Sequence, residues 1–212
     1  MASLSAVAEG GAGSGVSLPA PPVAGGMSLE EALAQRRSVR EFAPGALTLA
    51  EVSRLAWAAQ GATDSARRTA PSAGATYPLE VYLVVGEVKG LAAGVYRYRP
   101  GPHRLEAVAD GDIRLPLAAA ALDQQWMSRA ALVVVIAAAF ERTTARYGKR
   151  GERYVHMEAG HAAQNLLLEA TALGLGATPV GAFDDAEVCR LLRLPDGEAP
   201  LYLIPVGHKS SP

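Results

Sequence analysis

The stretch from Glu152 to Leu173 sets the scale of the fold, because Ala159, Ala162, Ala163, Leu166, Leu167, Ala170 and Leu173 recur on one unbroken helical face. At 1.5 Å per residue such a helix is about 33 Å long, roughly the width of a small domain. The remaining chain must cover it along that length, so it is read as a core helix or a dimer helix, closed by Gly174 and Gly176. The material suffices: 212 residues, 50% of them hydrophobic, suit one sizeable globular domain.

A formal net charge of -1 lacks the broad basic excess on which nucleic-acid or membrane-surface binding rests, so neither partner is expected. One cysteine, Cys189, excludes an internal disulfide framework and a Cys-rich zinc site, which makes a reducing cytoplasm the default. Cys189 lies in an apolar helix rhythm and is read as core. The first 27 residues, rich in Ala, Gly, Ser and Pro, lack the charged start and sustained apolar stretch of a secretory signal. They are expected to be a flexible arm, leaving 28–212 as the domain. No run has the apolar length of a membrane span; Ala130 to Phe140 has a buried strand's length, and no internal repeat is visible.

Ser28 with Glu31, and Thr48 with Glu51, have capping-box spacing ahead of apolar helical stripes, the first helix ending near Arg37. Polar and small residues from Gly61 to Arg68 lead into the tight loop Ala70–Pro78 and the strand Leu79–Val85. Such a loop lets a planar ligand approach backbone amides, or is an ordinary turn. Gly94–Arg99 and Arg104–Val108 flank Pro100-Gly101 as a hairpin whose Tyr and Arg are expected at the surface. Asp112 is placed to cap an Ala-rich helix ending near Gln124, Gln125 and Trp126, ahead of a strand at Ala131–Ala137. The glutamines read a heterocycle's edge or merely cap. Arg142–Arg153 is charged and is read as a loop or lid. Ala177–Phe183 is read as a strand weakened by Pro179 and Gly181. A helix capped by Asp184 and Glu187 and a last strand, Leu201–Val206, complete the chain.

Between the first two helices lies Arg36-Arg37-Ser38-Val39-Arg40-Glu41-Phe42, three guanidinium groups and a hydroxyl within five residues. Arginine offers planar forks of donors that match phosphate and carboxylate oxygens, and Ser38 adds a neutral donor. The run is either an anion grip or a solvated basic helix end favoured by the helix dipole.

Other chemistries are disfavoured. Gly174-Leu175-Gly176 closes a helix, whereas a dinucleotide fingerprint follows a strand and opens one. There is no P-loop spacing and no nucleophile elbow. His156 and His161 are five residues apart and diverge around a helix, so together with Glu158 they are read as a solvated helix face and not as metal ligands.

Taken in order, Leu29-Glu30-Glu31-Ala32-Leu33, the arginine run, Pro71-Ser72-Ala73-Gly74-Ala75, Glu158-Ala159-Gly160-His161-Ala162-Ala163-Gln164-Asn165-Leu166 and Gly174-Leu175-Gly176-Ala177-Thr178-Pro179 resemble the FMN-dependent nitroreductase family. The branch they are similar to is that of the SagB-type dehydrogenases, over about Leu18 to Lys209. The resemblance implies an α+β sandwich, a mostly antiparallel central sheet flanked by helices, in an intertwined homodimer; periodicity alone leaves other layer arrangements open. It also implies that Arg36, Arg37, Ser38 and Arg40 hold FMN, Arg36 and Ser38 near the phosphate and Arg40 near the ring, with Lys209 completing the phosphate grip. Pro71, Ser72, Ala73 and Gly74 would reach FMN from the second subunit. Gln124 would meet the ring edge, and Pro179, Val180, Gly181 and Ala182 would lie beside the flavin. NAD(P)H is the implied electron donor.

One phrase departs from the pattern. Peptide azoline oxidases of the SagB type resemble Lys-Tyr-Gly ahead of the long helix, and this chain has Arg146-Tyr147-Gly148. Arginine keeps its proton and cannot act as a general base, which leaves Tyr147 as the proton partner. The expectation is transfer of electrons from NAD(P)H through FMN to a small acceptor. The alternatives are azoline dehydrogenation of a peptide substrate and flavin sequestration without turnover, with the arm or the 142–153 segment closing the pocket.

Overall fold

The structure of the protein, a computed structural model, describes residues 15–21 and 26–210. In chain order its elements are β1 (Gly15–Ser17), α1 (Leu29–Gln35), β2 (Phe42–Ala43), α2 (Leu49–Gln60), β3 (Leu79–Val85), β4 (Gly94–Arg99), β5 (Arg104–Asp110), α3 (Arg114–Ala120), β6 (Leu132–Ala139), α4 (Glu141–Tyr147), α5 (Arg150–Ala172), β7 (Leu175–Ala177), α6 (Asp185–Leu192) and β8 (Glu198–Lys209). Short 3-10 turns occur at Ala73–Ala75 and Gln125–Arg129.

The strands form one sheet in the order β1-β5-β4-β3-β6-β8-β2, with β7 also paired to β8, and each named ladder is antiparallel. Every residue of β3 is buried. Its side chains alternate between two dry layers: Val81, Leu83 and Val85 join Leu55 of α2 and Leu166 of α5, whereas Tyr82 and Val84 join Leu117 of α3 and Val188 of α6. A strand covered on both faces reads as a continuous apolar run, as Val81–Val85 does after the charged Glu80 near the strand's start. The architecture is the α+β sandwich that the resemblance implied. Both capping boxes form, Ser28 with Glu31 and Thr48 with Glu51.

The apolar face of α5 is core. Ala159, Ala162, Ala163, Leu166, Leu167 and Ala170 are all buried in the chain's own interior, so this face supplies no dimer interface.

Several local expectations are corrected. The charged segment 142–153 is helical: α4 runs to Tyr147, Gly148 turns the chain at φ +57, and α5 begins at Arg150. Gly151 lets the two helices meet, since a Cβ there would lie 2.9 Å from Thr144 Cα. Of the hairpin's Tyr and Arg, Arg104 is exposed as expected, whereas Tyr96, Tyr98 and Arg97 are turned inward. Tyr98 is 1% exposed, and Arg97 pairs with Glu80 and Glu198 at 3.0 and 2.8 Å. Tyr82 donates to the same Glu198, and Arg142 pairs with Glu80. Ala177–Phe183 is not one strand: β7 stops at Ala177, and Val180 alone bridges to Leu203, since Pro179 has no N–H to give a ladder. Asp112 accepts the Arg114 N–H at the start of α3 at 3.0 Å and also binds the Arg114 guanidinium, although Ile113 and not Asp112 occupies the N-cap position. Cys189 is half-buried.

Within the span expected to be an arm, β1 pairs with β5, and Ser53 and His103 both engage the Pro19 carbonyl. Residues 1–14 and 22–25 of that span lie outside the described residues.

Because Leu166 is fully buried between sheet and helices, Leu166→Ala should cost about 2–5 kcal/mol. Met157, 52% exposed on the opposite face of α5, should tolerate alanine within about 0.5 kcal/mol. Urea denaturation of both variants checks this, and equal losses would contradict the assigned core face.

Candidate active site

The chain leaves α1 at Arg36 and is then laid along β7. The Val39 N–H donates to the Ala177 carbonyl at 3.1 Å, and Ser38 forms a parallel bridge to Ala177. Gly176 permits this approach, because a Cβ there would sit 2.6 Å from Val39 Cγ1. β7 pairs with the end of β8, where Lys209 lies opposite Phe42. Arg36, Arg37, Ser38, Arg40 and Lys209 therefore gather at one end of the sheet.

Their roles divide. The Arg37 guanidinium donates to the Ala34 and Arg36 carbonyls at 2.8 Å and so finishes α1. Arg40 sits over Trp126, 5.9 Å from the ring centroid, and Trp126 in turn stacks on Phe42. Among the described residues, Arg36, Arg40 and Lys209 have no carboxylate partner. Beyond β7 the backbone continues through Pro179–Ala182, with Val180 buried and Gly181 and Ala182 exposed. The Gln124 amide donates to the Ala121 and Ala182 carbonyls at 2.9 and 3.3 Å, tying it to this segment and using its donors locally.

Thr178, between these groups, has a buried hydroxyl with no partner, the one such side-chain atom among the described residues. An unsatisfied buried hydroxyl costs about 1–3 kcal/mol. Three unpaired cations, the Ser38 hydroxyl and this orphaned hydroxyl form a donor set that fits a phosphorylated, carbonyl-bearing ligand.

A second group forms around Pro71–Gly74. The Ala73 N–H donates to Glu158 Oε1 at 2.8 Å, and Arg146 Nη1 donates to the Gly74 carbonyl at 3.1 Å. Gly74 has φ +60, and a Cβ on it would fall 2.5 Å from the Tyr147 hydroxyl oxygen. Tyr147 packs edge-on against Tyr154, with ring centroids 5.3 Å apart. Beside the loop a cavity of about 300 Å³ is lined by Pro71, Ser72, Ala73, Tyr154, Glu158 and His161, among others.

The two groups lie at opposite ends of the strands. Leu79, which follows the Pro71–Gly74 loop, is registered with Ala138, whereas Leu132 at the other end of β6 is registered with Val206, just before Lys209. Six residue steps of about 3.3 Å separate these ends by about 20 Å. One chain thus assembles Arg36–Arg40 with Gln124, Pro179–Ala182 and Lys209, and Tyr147 with Pro71–Gly74, but does not bring the two groups together.

The nitroreductase family model matches residues 33–208. The chain belongs to the nitroreductase family. A Methanocaldococcus jannaschii protein that carries a provisional nitroreductase name is 50% identical over 184 residues, covering 86% of this chain and 92% of that one. A crystal structure from Ralstonia eutropha, also provisionally named a nitroreductase, superposes with a TM-score of 0.81 at 29% identity, over 97% of this chain and 94% of that one. A chain of the Escherichia coli microcin synthetase McbBCD complex, solved with truncated pro-MccB17 bound, gives a TM-score of 0.72 at 26% identity, over 91% and 77%.

Three residues of this nitroreductase-family chain stand at the site without a clear mark in the sequence. The sequence pattern puts Glu158 on a solvated face with His156 and His161, yet it is 4% exposed beneath the Pro71–Gly74 loop. The signal available was its place on the same helical stripe as Val155, Ala159 and Ala162. Thr178 and Trp126 carried no local signal, since both depend on contacts distant in sequence. No group of metal-ligating side chains occurs among the described residues.

Burial pushes the Glu158 carboxyl above its ordinary range, opposed by the Ala73 N–H, the Ser72 hydroxyl and His161. A folded value above the unfolded one means that the protonated form favours folding, and this contribution is lost as pH rises through the raised value. Neutral Glu158→Gln should therefore gain thermal stability on the wild type as pH rises from about 4 to about 8. Melting temperatures of both proteins across that range check the sign, and a gap that does not change with pH would contradict it.

Proposed function

We propose that the protein is an FMN-dependent oxidoreductase that passes hydride from NAD(P)H to a small acceptor, acting as a homodimer in which each site draws on both chains. The observation that carries this reading is the set of unpaired cations, Arg36, Arg40 and Lys209, beside the orphaned Thr178 hydroxyl and the exposed backbone of Gly181 and Ala182. When bound, FMN supplies a ring that accepts and returns a hydride.

In this reading Arg36, Ser38 and Lys209 bind the phosphate, and Arg37 finishes the helix beside them. Arg40, steadied on Trp126, supplies fixed positive charge at the ring, where reduction accumulates negative charge. Gln124 and Pro179–Ala182 provide the ring-side wall. The Pro71–Gly74 loop completes the pocket from the second chain, which accounts for the two groups lying at opposite ends of one sheet. Tyr147, against that loop, is placed to give a proton to the acceptor.

The likeness to the microcin synthetase chain supports a second reading, oxidation of azoline rings in a peptide. Against it, Arg146 stands where those enzymes have lysine, and its guanidinium is engaged by the Gly74 carbonyl. The third reading, a flavin store without turnover, keeps the N-terminal arm as its candidate lid, because the 142–153 segment is packed as α4 and the start of α5.

The purified protein should carry noncovalent FMN and scatter light as a dimer of 22.0 kDa chains. Arg36→Ala should weaken FMN by about 1.5–3 kcal/mol and riboflavin far less, because riboflavin has no phosphate. Fluorescence titrations of both flavins test it; equal weakening would remove Arg36 from the phosphate, and a monomer that holds flavin tightly would remove the shared site.

Stopped-flow measurement of each half-reaction tests Tyr147. Tyr147→Phe should leave reduction by NAD(P)H within a few-fold, since hydride transfer needs orientation and no side-chain base, while slowing the acceptor half-reaction on the order of a hundredfold. Robust oxidation of a thiazoline peptide by the wild type would instead establish the second reading.

A further inference from the structure

The Pro71–Tyr77 loop holds an unusual backbone: Gly74, Ala75 and Tyr77 all have positive φ. A loop of this kind keeps its shape only if groups outside it hold it. Three side chains on the helices beneath it do so. Thr143, fully buried in α4, meets the Thr76 hydroxyl at 2.8 Å; Arg146 of α4 takes the Gly74 carbonyl; and Glu158 of α5 takes the Ala73 N–H. Glu158 is firmly mounted. It projects from a helix whose neighbouring residues Val155, Ala159 and Ala162 are buried in the core, and it is itself 4% exposed. With these ties made, the Ser72 and Gly74 N–H groups have no acceptor among the described residues.

We propose that Glu158 is a positioning residue: its oxygen, fixed in α5 beneath the loop, holds the Ala73 N–H and so leaves the Ser72 and Gly74 N–H groups unpaired for a ligand lying against the loop. The ligand's identity as flavin rests on the functional reading above, whereas the positioning does not. What the loop requires from residue 158 is an acceptor oxygen, which glutamine retains and alanine lacks. Groups on rigid elements hold such geometry more closely than groups on loops.

Hydrogen exchange of the full-length protein, read by mass spectrometry on peptides covering residues 71–77, tests the proposal directly. Glu158→Ala should speed exchange of the Ala73 amide on the order of tenfold, the worth of one hydrogen bond to a charged group, and leave peptides from β3 and β6 unchanged. Glu158→Gln should stay within about threefold of wild type. Unchanged exchange in Glu158→Ala, faster exchange throughout the chain, or a glutamine variant as fast as alanine would each overturn the positioning role. Dissociation constants for FMN and riboflavin, measured on the same variants, should weaken together by a similar factor in Glu158→Ala, since the loop would meet the ring that both share. Faster loop exchange with unchanged flavin affinity would uphold the positioning and overturn the loop's assignment to a flavin.

Discussion

Burial of both faces of β3 and β6 is the constraint from which the remaining architecture follows. Strands with two apolar faces cannot stand against water on either side, so helices must cover both. One layer is supplied by α2 and the long α5, the other by α3 and α6. With the sheet interior dry, polar groups that have work to do are displaced to the strand ends and to the loops beyond them. The two clusters of candidate residues occupy just those places.

Charge is handled differently in different parts of the molecule. Arg97, though nearly buried, is answered by Glu80 and Glu198, and Arg142 completes the balance. Such a closed network leaves little for a ligand to do, and truncating one partner would strand the others. Arg36, Arg40 and Lys209 have no such partners among the described residues. Pairing of this kind depends on contacts that composition cannot express.

Features encoded by neighbouring residues were legible. The Ser28 and Thr48 capping boxes, the β3 and β6 runs and the stripe on α5 each have a local physical cause, and each appears in the structure. Segments whose shape is set by packing of one element on another were not. Residues 142–153 look like a loop because few of them are apolar, and they are helical because Gly151 lets α5 close onto α4. Tyr98 looks like a surface residue of a hairpin, and it is buried where its hydroxyl meets His103. At the candidate site, the ordered phrases identified the family, but the tie between Ala73 and Glu158 spans 85 positions and leaves no local trace.

The order of the strands in the sheet differs from their order in the chain, and this has a bearing on synthesis. β8 lies between β6 and β2, so β6 has only β3 beside it until residues 198–209 are available. Until then Leu132–Ala139, a run with no charge and many β-branched side chains, presents an open edge. Segments of that composition pair readily with other chains. The nascent protein therefore passes through an aggregation-prone interval that ends only when β8 docks, and the same strand that closes the edge also sets Lys209 beside Phe42.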